Sequence, residues 1–474
     1  MSLAAELEIA LGDPERGGPF SFATALDGDE REAFPGDACA ALQSLGYFEH
    51  LVPARDGGRL LDLRQLILAG RVVARRDLTV AIATGQTFLG ALPVWLDGDE
   101  PKRARVAALI KAGGAGCLAL TEEEHGSDLA ASEVTLSRVE GDATLSGTKW
   151  CINNATRSRF ALVLARDDEG ELSVVLVDKE RVPEGWSTLP RLRTHGIRGA
   201  DISGIRFAGA VVGPAAVVGR ARGGLDLVLR ALQISRTACA AFSLGAADTA
   251  LRLSYAFALE RRLYGGRAYG LPIVRAALAD AFADVLAMDV LTEVACRAAS
   301  LVPAEMSVVS AIVKALVPTT IERVIHEAGV VLGARAYLRE GAAAMFQKVV
   351  RDHAVVALFD GSTSVNLSVL ASQLPRIAGA RADAAGASPA RDLAGPGGLF
   401  DLDAPLPPFP WRGLRASARG ADALVGAIPE LARRAKLDRP ELADVAERLA
   451  RALTIFDRSL LSHAASPHLA PTDP

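Results

Sequence analysis

Asp360 is a carboxylate whose neighbours in the sequence could raise its basicity. It follows Phe359 and the apolar run Val355, Val356 and Leu358, which should strip water from its carboxylate and raise its basicity. The same Asp360-Gly361 pair also reads as a plain turn. A second chemical cluster lies upstream, in Leu118-Ala119-Leu120-Thr121-Glu122-Glu123-Glu124-His125-Gly126-Ser127-Asp128-Leu129, followed by Gly147-Thr148-Lys149-Trp150-Cys151-Ile152-Asn153-Asn154. The hydroxyls of Thr121 and Ser127, with nearby backbone N–H groups, could aim donors at an electron-accepting ring and stabilise the charge that develops on its reduction. Hydroxyls spaced this way are equally ordinary loop and cap chemistry. Arg261 carries a forked guanidinium suited to a pyrophosphate, or is a solvated charge at a helix end. No Gly-x-Gly-x-x-Gly follows a strand pattern, and neither a serine nucleophile elbow nor a His-Glu-x-x-His helix is present.

The elements that must position these residues follow the hydrophobic period. Residues 30–116 repeat at helical spacing, through Ala38, Ala41, Leu42 and Leu45, then Leu61, Leu63, Leu66, Ile67 and Val72-Val73. From about 117 the period becomes two: Val134, Leu136, Val139 and Leu145, then Phe160–Ala165, Leu172–Val177 and Ile202–Val212, with a turn at Gly141-Asp142. Helical spacing returns in Leu225–Arg262, Leu271–Ala299 and Met306–Leu332. Residues 378–411 are rich in Gly, Ala, Pro and Asp, a linker or extended strap. Two helical patterns follow, Leu414–Ile428 and Arg439–His463. This divides the chain into a helical domain (1–116), a β domain (117–222), a helical bundle (223–377), a strap (378–411) and a helical extension with its tail (412–474).

Composition narrows the function. The chain has 474 residues, and 52 Lys+Arg against 56 Asp+Glu give a net charge of −4. That balance offers no basic surplus for nucleic acid. Half the residues are hydrophobic and the mean hydropathy is +0.23, too apolar for a disordered chain. Cys39, Cys117, Cys151, Cys239 and Cys296 are scattered, which argues against a disulfide framework or a structural metal site. Residues 1–20 do not read as a signal peptide, and charges are expected to interrupt every stretch long enough to span a bilayer. The expectation is a reduced, cytoplasmic protein with no metal, nucleic acid or membrane partner.

The ordered motifs resemble the acyl-CoA dehydrogenase family. Its middle β domain opens with a Thr-Glu…Gly-Ser-Asp loop, followed by Gly-x-Lys-x-x-Ile-x-Asn. Thr194-His195-Gly196, Gly204-Ile205-Arg206-Phe207, Ser235-Arg236, the segment Ala258–Gly265, Leu332–Tyr337, Arg351-Asp352 and Phe359-Asp360-Gly361-Ser362 continue the resemblance in order over roughly residues 30–375. It implies a mainly α fold with a central β domain: an N-terminal helical domain, a middle β-barrel-like domain and a C-terminal four-helix bundle, here with a helical extension. It also implies FAD-dependent α,β-dehydrogenation of an acyl thioester, carried on coenzyme A or an acyl carrier protein. Electrons would pass to an electron-transfer flavoprotein-like acceptor or to oxygen.

Carried over residue by residue, the family pattern makes Asp360 the base and Arg236 its neighbour. Thr121, Ser127, Cys151, Asn153, Arg261, Gly333 and Ser362 fall at cofactor positions, and Ser127, Arg236, Phe359 and Gly361 at substrate positions. The departures are specific. Asp replaces the family's glutamate, shortening its reach by roughly 1.5 Å, and such a misplacement can cost about 100-fold in rate. Ser235 occupies the alternative base position and cannot serve. Cys151 stands for a tryptophan and Asn153 for a threonine beside the flavin; Trp150, one place earlier, should face the other side of its strand. Val330 and Ala334 replace a glutamine and a glycine. His195 is expected to fill a strand or touch the flavin, and His125 to sit in a loop. The resemblance further implies a homo-oligomer, a dimer in preference to a tetramer. The altered pocket leaves two alternatives: a flavin oxidase or monooxygenase, or an inactive acyl-binding homologue.

Overall fold

The computed structural model describes residues 2–139, 142–383, 397–423 and 428–464. Six helices precede the sheet: α1 (Leu3–Leu11), α2 (Phe22–Glu30), α3 (Gly36–Ser44), α4 (Leu63–Ala74), α5 (Leu78–Asp97) and α6 (Glu100–Lys111). Side-chain caps start most of them, including Asp62 to Gln65 N–H, Asp77 to Thr79 N–H and Asp99 to Lys102 N–H. Residues 78–96 of α5 contain no charge at all, contrary to the expected interruption, and by length and composition α5 could cross a bilayer. Instead 94% of its apolar window is buried inside the protein, as expected for a helix that is hydrophobic all round and forms the centre of a domain.

The sheet strands are β1 (Ala115–Ala119), β2 (Thr135–Val139), β3 (Asp142–Asn153), β4 (Ser158–Asp167), β5 (Leu172–Asp178), β6 (Trp186–Thr188), β7 (Ile202–Val211) and β8 (Val217–Val218). They run in the order β6-β7-β3-β2-β4-β5-β8, with β1 parallel to β4. In β4 and β5 the alternation divides two cores. Phe160, Leu162, Leu164, Val174 and Leu176 join the helical core, while Ala161, Val163, Ala165, Val175 and Val177 face the second core with Leu136, Leu145 and Phe207. The turn expected at Gly141-Asp142 falls partly outside the described residues.

The C-terminal helices are α7 (Gly224–Ala238), α8 (Ala240–Glu260), α9 (Pro272–Leu301), α10 (Met306–Leu332), α11 (Ala344–His353) and α12 (Thr363–Asp383). Because α12 continues to Asp383, the strap expected from 378 begins only after it. Its described part, from 397, is packed rather than free. Leu399, Phe409 and Trp411 are buried in the helical core, and Arg297 donates to the carbonyls of Gly397, Gly398 and Ala404. The helix expected over Leu414–Ile428 does not form across 414–422; left-handed Arg419 and Gly420 break the pattern. Two further helices, α13 (Ile428–Asp438) and α14 (Pro440–Ala464), complete the extension.

Candidate active site

The last turn of α7 and the segment between α11 and α12 meet at Asp360. Arg236, 5% exposed, donates from Nε to the Asp360 backbone carbonyl at 2.9 Å. Gly361, at φ +95°, lies so close to that guanidinium that a Cβ there would sit 2.8 Å from Nη2. Asp360 itself is left-handed at φ +56°, a conformation Asp tolerates better than bulkier residues. The aspartate is therefore held by its main chain, and its side chain is turned into the protein.

Burial pushes the Asp360 carboxyl above the ordinary carboxylate range; the Lys314 ammonium, the Ser235 hydroxyl, Arg236 and the Cys239 thiol oppose that rise without cancelling it. Lys314 is fully buried, stands 5.2 Å over the Phe359 ring and donates to the Val356 carbonyl. Phe359 in turn tilts on Phe242 at 6.2 Å. The turn that sequence offers as an alternative for Asp360-Gly361 does exist, but it serves to bury a carboxylate rather than to solvate it.

Asp360 lines an open pocket between α4, α5, α7 and α8. Its walls are chiefly apolar, among them Tyr47, Ile67, Phe88, Leu89 and Phe242, and Asp360 is the one charged residue among those lining it. Such a concave apolar site with one perturbed acid is built to hold an uncharged hydrocarbon against a base.

The cofactor candidates form separate groups. Thr121 and Ser127 lie on the β1–β2 connection, and the Thr121 carbonyl accepts from Trp150 N–H at 2.9 Å, which joins that loop to β3. Ser127 and Cys151 are exposed, and Thr121 and Asn153 half-buried; their side chains hold no hydrogen bond among the described residues. Cys151 sits at φ +57° in a register shift between Trp150 and Ile152. Simple strand alternation therefore does not carry across this bulge, and the expected opposition of Trp150 and Cys151 does not follow. Arg261 is exposed at the C-terminal cap of α8, and Gly333, at φ +58°, is exposed at the end of α10. Neither lines the Asp360 pocket. Ser362 caps α12, its hydroxyl accepting from Val365 N–H.

Other motif residues prove to be architectural. Lys149, fully buried, donates to Glu122 Oε1 at 2.6 Å, Ser132 Oγ at 2.8 Å and the Leu120 carbonyl at 2.9 Å. Glu122 also accepts from the N–H groups of Glu133 and Val134, so the pair pins the loop that carries Thr121 and Ser127. Burial alone would raise the Glu122 carboxyl, but bonds from Lys149, Ser132 and Glu133 bring it down to about 2. This lies below the unfolded value of 4.5, so its stabilisation is complete above about pH 4.5 and is lost as pH falls towards 2. Glu122→Gln should flatten that acid limb; denaturant midpoints at pH 3 and pH 6 that move together in wild type and variant would refute the assignment.

Arg351 pairs with Asp29 at 2.6 Å and donates to the His195 carbonyl, and Asp352 accepts from Ile197 N–H at 2.6 Å. Gly196 is required there, since a Cβ would lie 2.1 Å from the Arg351 carbonyl oxygen. His195 is exposed in a bend, not in a strand, because this backbone docks onto α11 instead of joining the sheet. His125 is in a loop, 3.3 Å from Glu133. Sequence reasoning did not single out Cys239 and Lys314. Their available signals were the one-turn spacing of Ser235 and Cys239 and a lone lysine inside the apolar run Val308–Val317.

Helices before and after a central sheet, with an acid of raised pKa on the wall of a chiefly apolar pocket, are the arrangement set beside known proteins. The acyl-CoA dehydrogenase middle-domain model matches residues 117–210 and the C-terminal-domain model residues 222–374. The chain belongs to the acyl-CoA dehydrogenase family, FAD-dependent oxidoreductases that act on CH–CH bonds. It is 26% identical over 358 residues to the probable acyl-CoA dehydrogenase FadE25 of Mycobacterium tuberculosis, covering 74% of this chain and 90% of that protein. The human short-chain specific acyl-CoA dehydrogenase is 26% identical over 366 residues, 75% of this chain and 86% of that protein. Butyryl-CoA dehydrogenase of Megasphaera elsdenii shares the fold, with a TM-score of 0.72 at 21% identity, covering 78% of this chain and 98% of the other.

Proposed function

We propose that this protein is an FAD-dependent dehydrogenase of acyl-CoA thioesters whose acyl chain carries no charge, with Asp360 as the base. The observation that carries the reading is a single carboxylate of raised pKa, on a half-buried residue, in the wall of an otherwise apolar pocket. The unengaged hydroxyls of Thr121 and Ser127, the Asn153 amide and the exposed Arg261 guanidinium are a donor set suited to a flavin and its pyrophosphate. When bound, FAD supplies the acceptor for the hydride that leaves the β carbon. Asp360 takes the α-proton, and the pocket excludes water from the carbanion-like charge so formed. Arg236 keeps the Asp360 backbone in place. Ser235 stands beside the carboxylate as a hydroxyl, not as a second base. The electron acceptor fitting this reading is an electron-transfer flavoprotein, and slow reoxidation in air after bleaching separates it from an oxidase.

The walls also select the acyl group. With no Lys or Arg among the lining residues, a distal carboxylate would be buried without a partner, at a cost of several kcal/mol. Butyryl- or hexanoyl-CoA should therefore bleach the flavin anaerobically at least about 100-fold more efficiently than glutaryl-CoA. Equal efficiencies would remove the proposed selectivity, and a purified protein with no flavin that gains no thermal stability from added FAD would remove the function.

A further inference from the structure

The grip of Arg236 fixes the Asp360 main chain but leaves two side-chain torsions free to swing the carboxylate. Ser235 and Cys239, one helical turn apart, present their side chains on one face, and the carboxylate lies against that face. Cys239 Sγ is 3.8 Å from Asp360 Oδ2. The thiol is 2% exposed and lines the same pocket. Burial and the adjacent carboxylate push its pKa up, so it remains S–H throughout the working range and acts as a donor.

We propose that Cys239 is a positioning residue for the base: its S–H donates to Asp360 Oδ2, fixes the plane of the short carboxylate and leaves Oδ1 to face the α-proton. The inference rests on Asp360 being the base. It accounts for how an aspartate works at this position: a hydrogen bond from the facing helix restrains the orientation of a side chain with little length to spare. The other charged groups that face the carboxylate are Arg236 on α7 and Lys314 on α10, and both persist when Cys239 is changed.

The test uses FAD-loaded enzyme and butyryl-CoA in anaerobic single-turnover bleaching across pH. Cys239→Ala should bleach about tenfold more slowly at saturating thioester, with little change in thioester affinity. The low-pH limb of its rate profile, where bleaching rises with pH, should move up by about half a pKa unit, because the carboxylate has lost a donor. Cys239→Ser should recover most of both effects, and Cys239→Val, which fills the space without donating, should behave as Ala. In cofactor-free protein, the protonated-carboxyl infrared band that Asp360→Asn abolishes should titrate higher in Cys239→Ala. Wild-type rates and limbs in Ala and Val, or equal losses in Ala and Ser with no shift of the limb or band, would overturn the role. Failure of the underlying reading shows separately, as wild-type bleaching by Asp360→Asn.

Discussion

Asp360→Asn binds an acyl-CoA as wild type does but reduces its flavin roughly 100-fold to 10,000-fold more slowly, the range expected when a positioned general base is removed. The substitution keeps size and polarity and can still accept from Cys239, so the Arg236 contact to the backbone carbonyl survives and the turn is not disturbed. What it lacks is a proton acceptor. In the wild type the bleaching rate should rise with pH through a limb lying above the ordinary carboxylate range, since burial holds the Asp360 carboxyl up; Asp360→Asn should lose that limb altogether. Asp360→Glu retains the base but adds a methylene to a carboxylate enclosed by Ser235, Cys239 and Lys314. It should fall between wild type and Asn, through overpacking and loss of the Cys239 contact. Bleaching by Asp360→Asn at the wild-type rate in a folded, FAD-loaded protein would place the base elsewhere.

Much of this site was legible as spacing, because the chemistry sits on regular elements. The alternation in Phe160–Ala165 and Leu172–Val177 is the division of two cores, but the apolar run before Asp360 does not enclose it: Leu358 is 65% exposed, and the groups around the carboxylate are Ser235, Arg236, Cys239 and Lys314. Sequence failed where tertiary contact overrides a local pattern. Leu414–Ile428 repeats at helical spacing, yet left-handed Arg419 and Gly420 and the burial of Trp411 and Leu414 favour an irregular path across 414–422. Residues 78–96 are a charge-free run whose covering is protein. The partners of Asp360 were out of reach for another reason. Cys239 reaches it from the junction of α7 and α8 and Lys314 from α10, and only the folded chain sets them side by side. The loop of Thr121 and Ser127 and the strand of Cys151 and Asn153 are close in sequence, and Trp150 N–H to the Thr121 carbonyl joins them.

Lys348→Met should destabilise the protein by about 3–5 kcal/mol, the cost of leaving buried charge without its partner. Lys348 is 1% exposed, and its ammonium donates to Asp77 Oδ1 at 2.9 Å, Thr79 Oγ1 at 3.1 Å and Asp352 Oδ2 at 2.5 Å. Burial would lower its pKa, but the carboxylates of Asp352 and Asp77 win and raise it, so it is charged. Asp77 caps the first turn of α5 and Asp352 holds Ile197 N–H, so one ammonium ties the N-terminal helices, the β6–β7 connection and α11 together. Methionine matches the volume but leaves two buried carboxylates facing each other. The folding equilibrium should fall by a factor of at least about 100, read as a lower denaturant midpoint or a melting temperature at least about 5 °C down. Adding Asp77→Asn and Asp352→Asn should return part of the loss, because neutral amides do not repel and can bond each other. A variant that melts within about 1 °C of wild type would show that the domains are held by apolar packing alone. A loss fully retained in the triple variant would assign it to packing volume rather than charge.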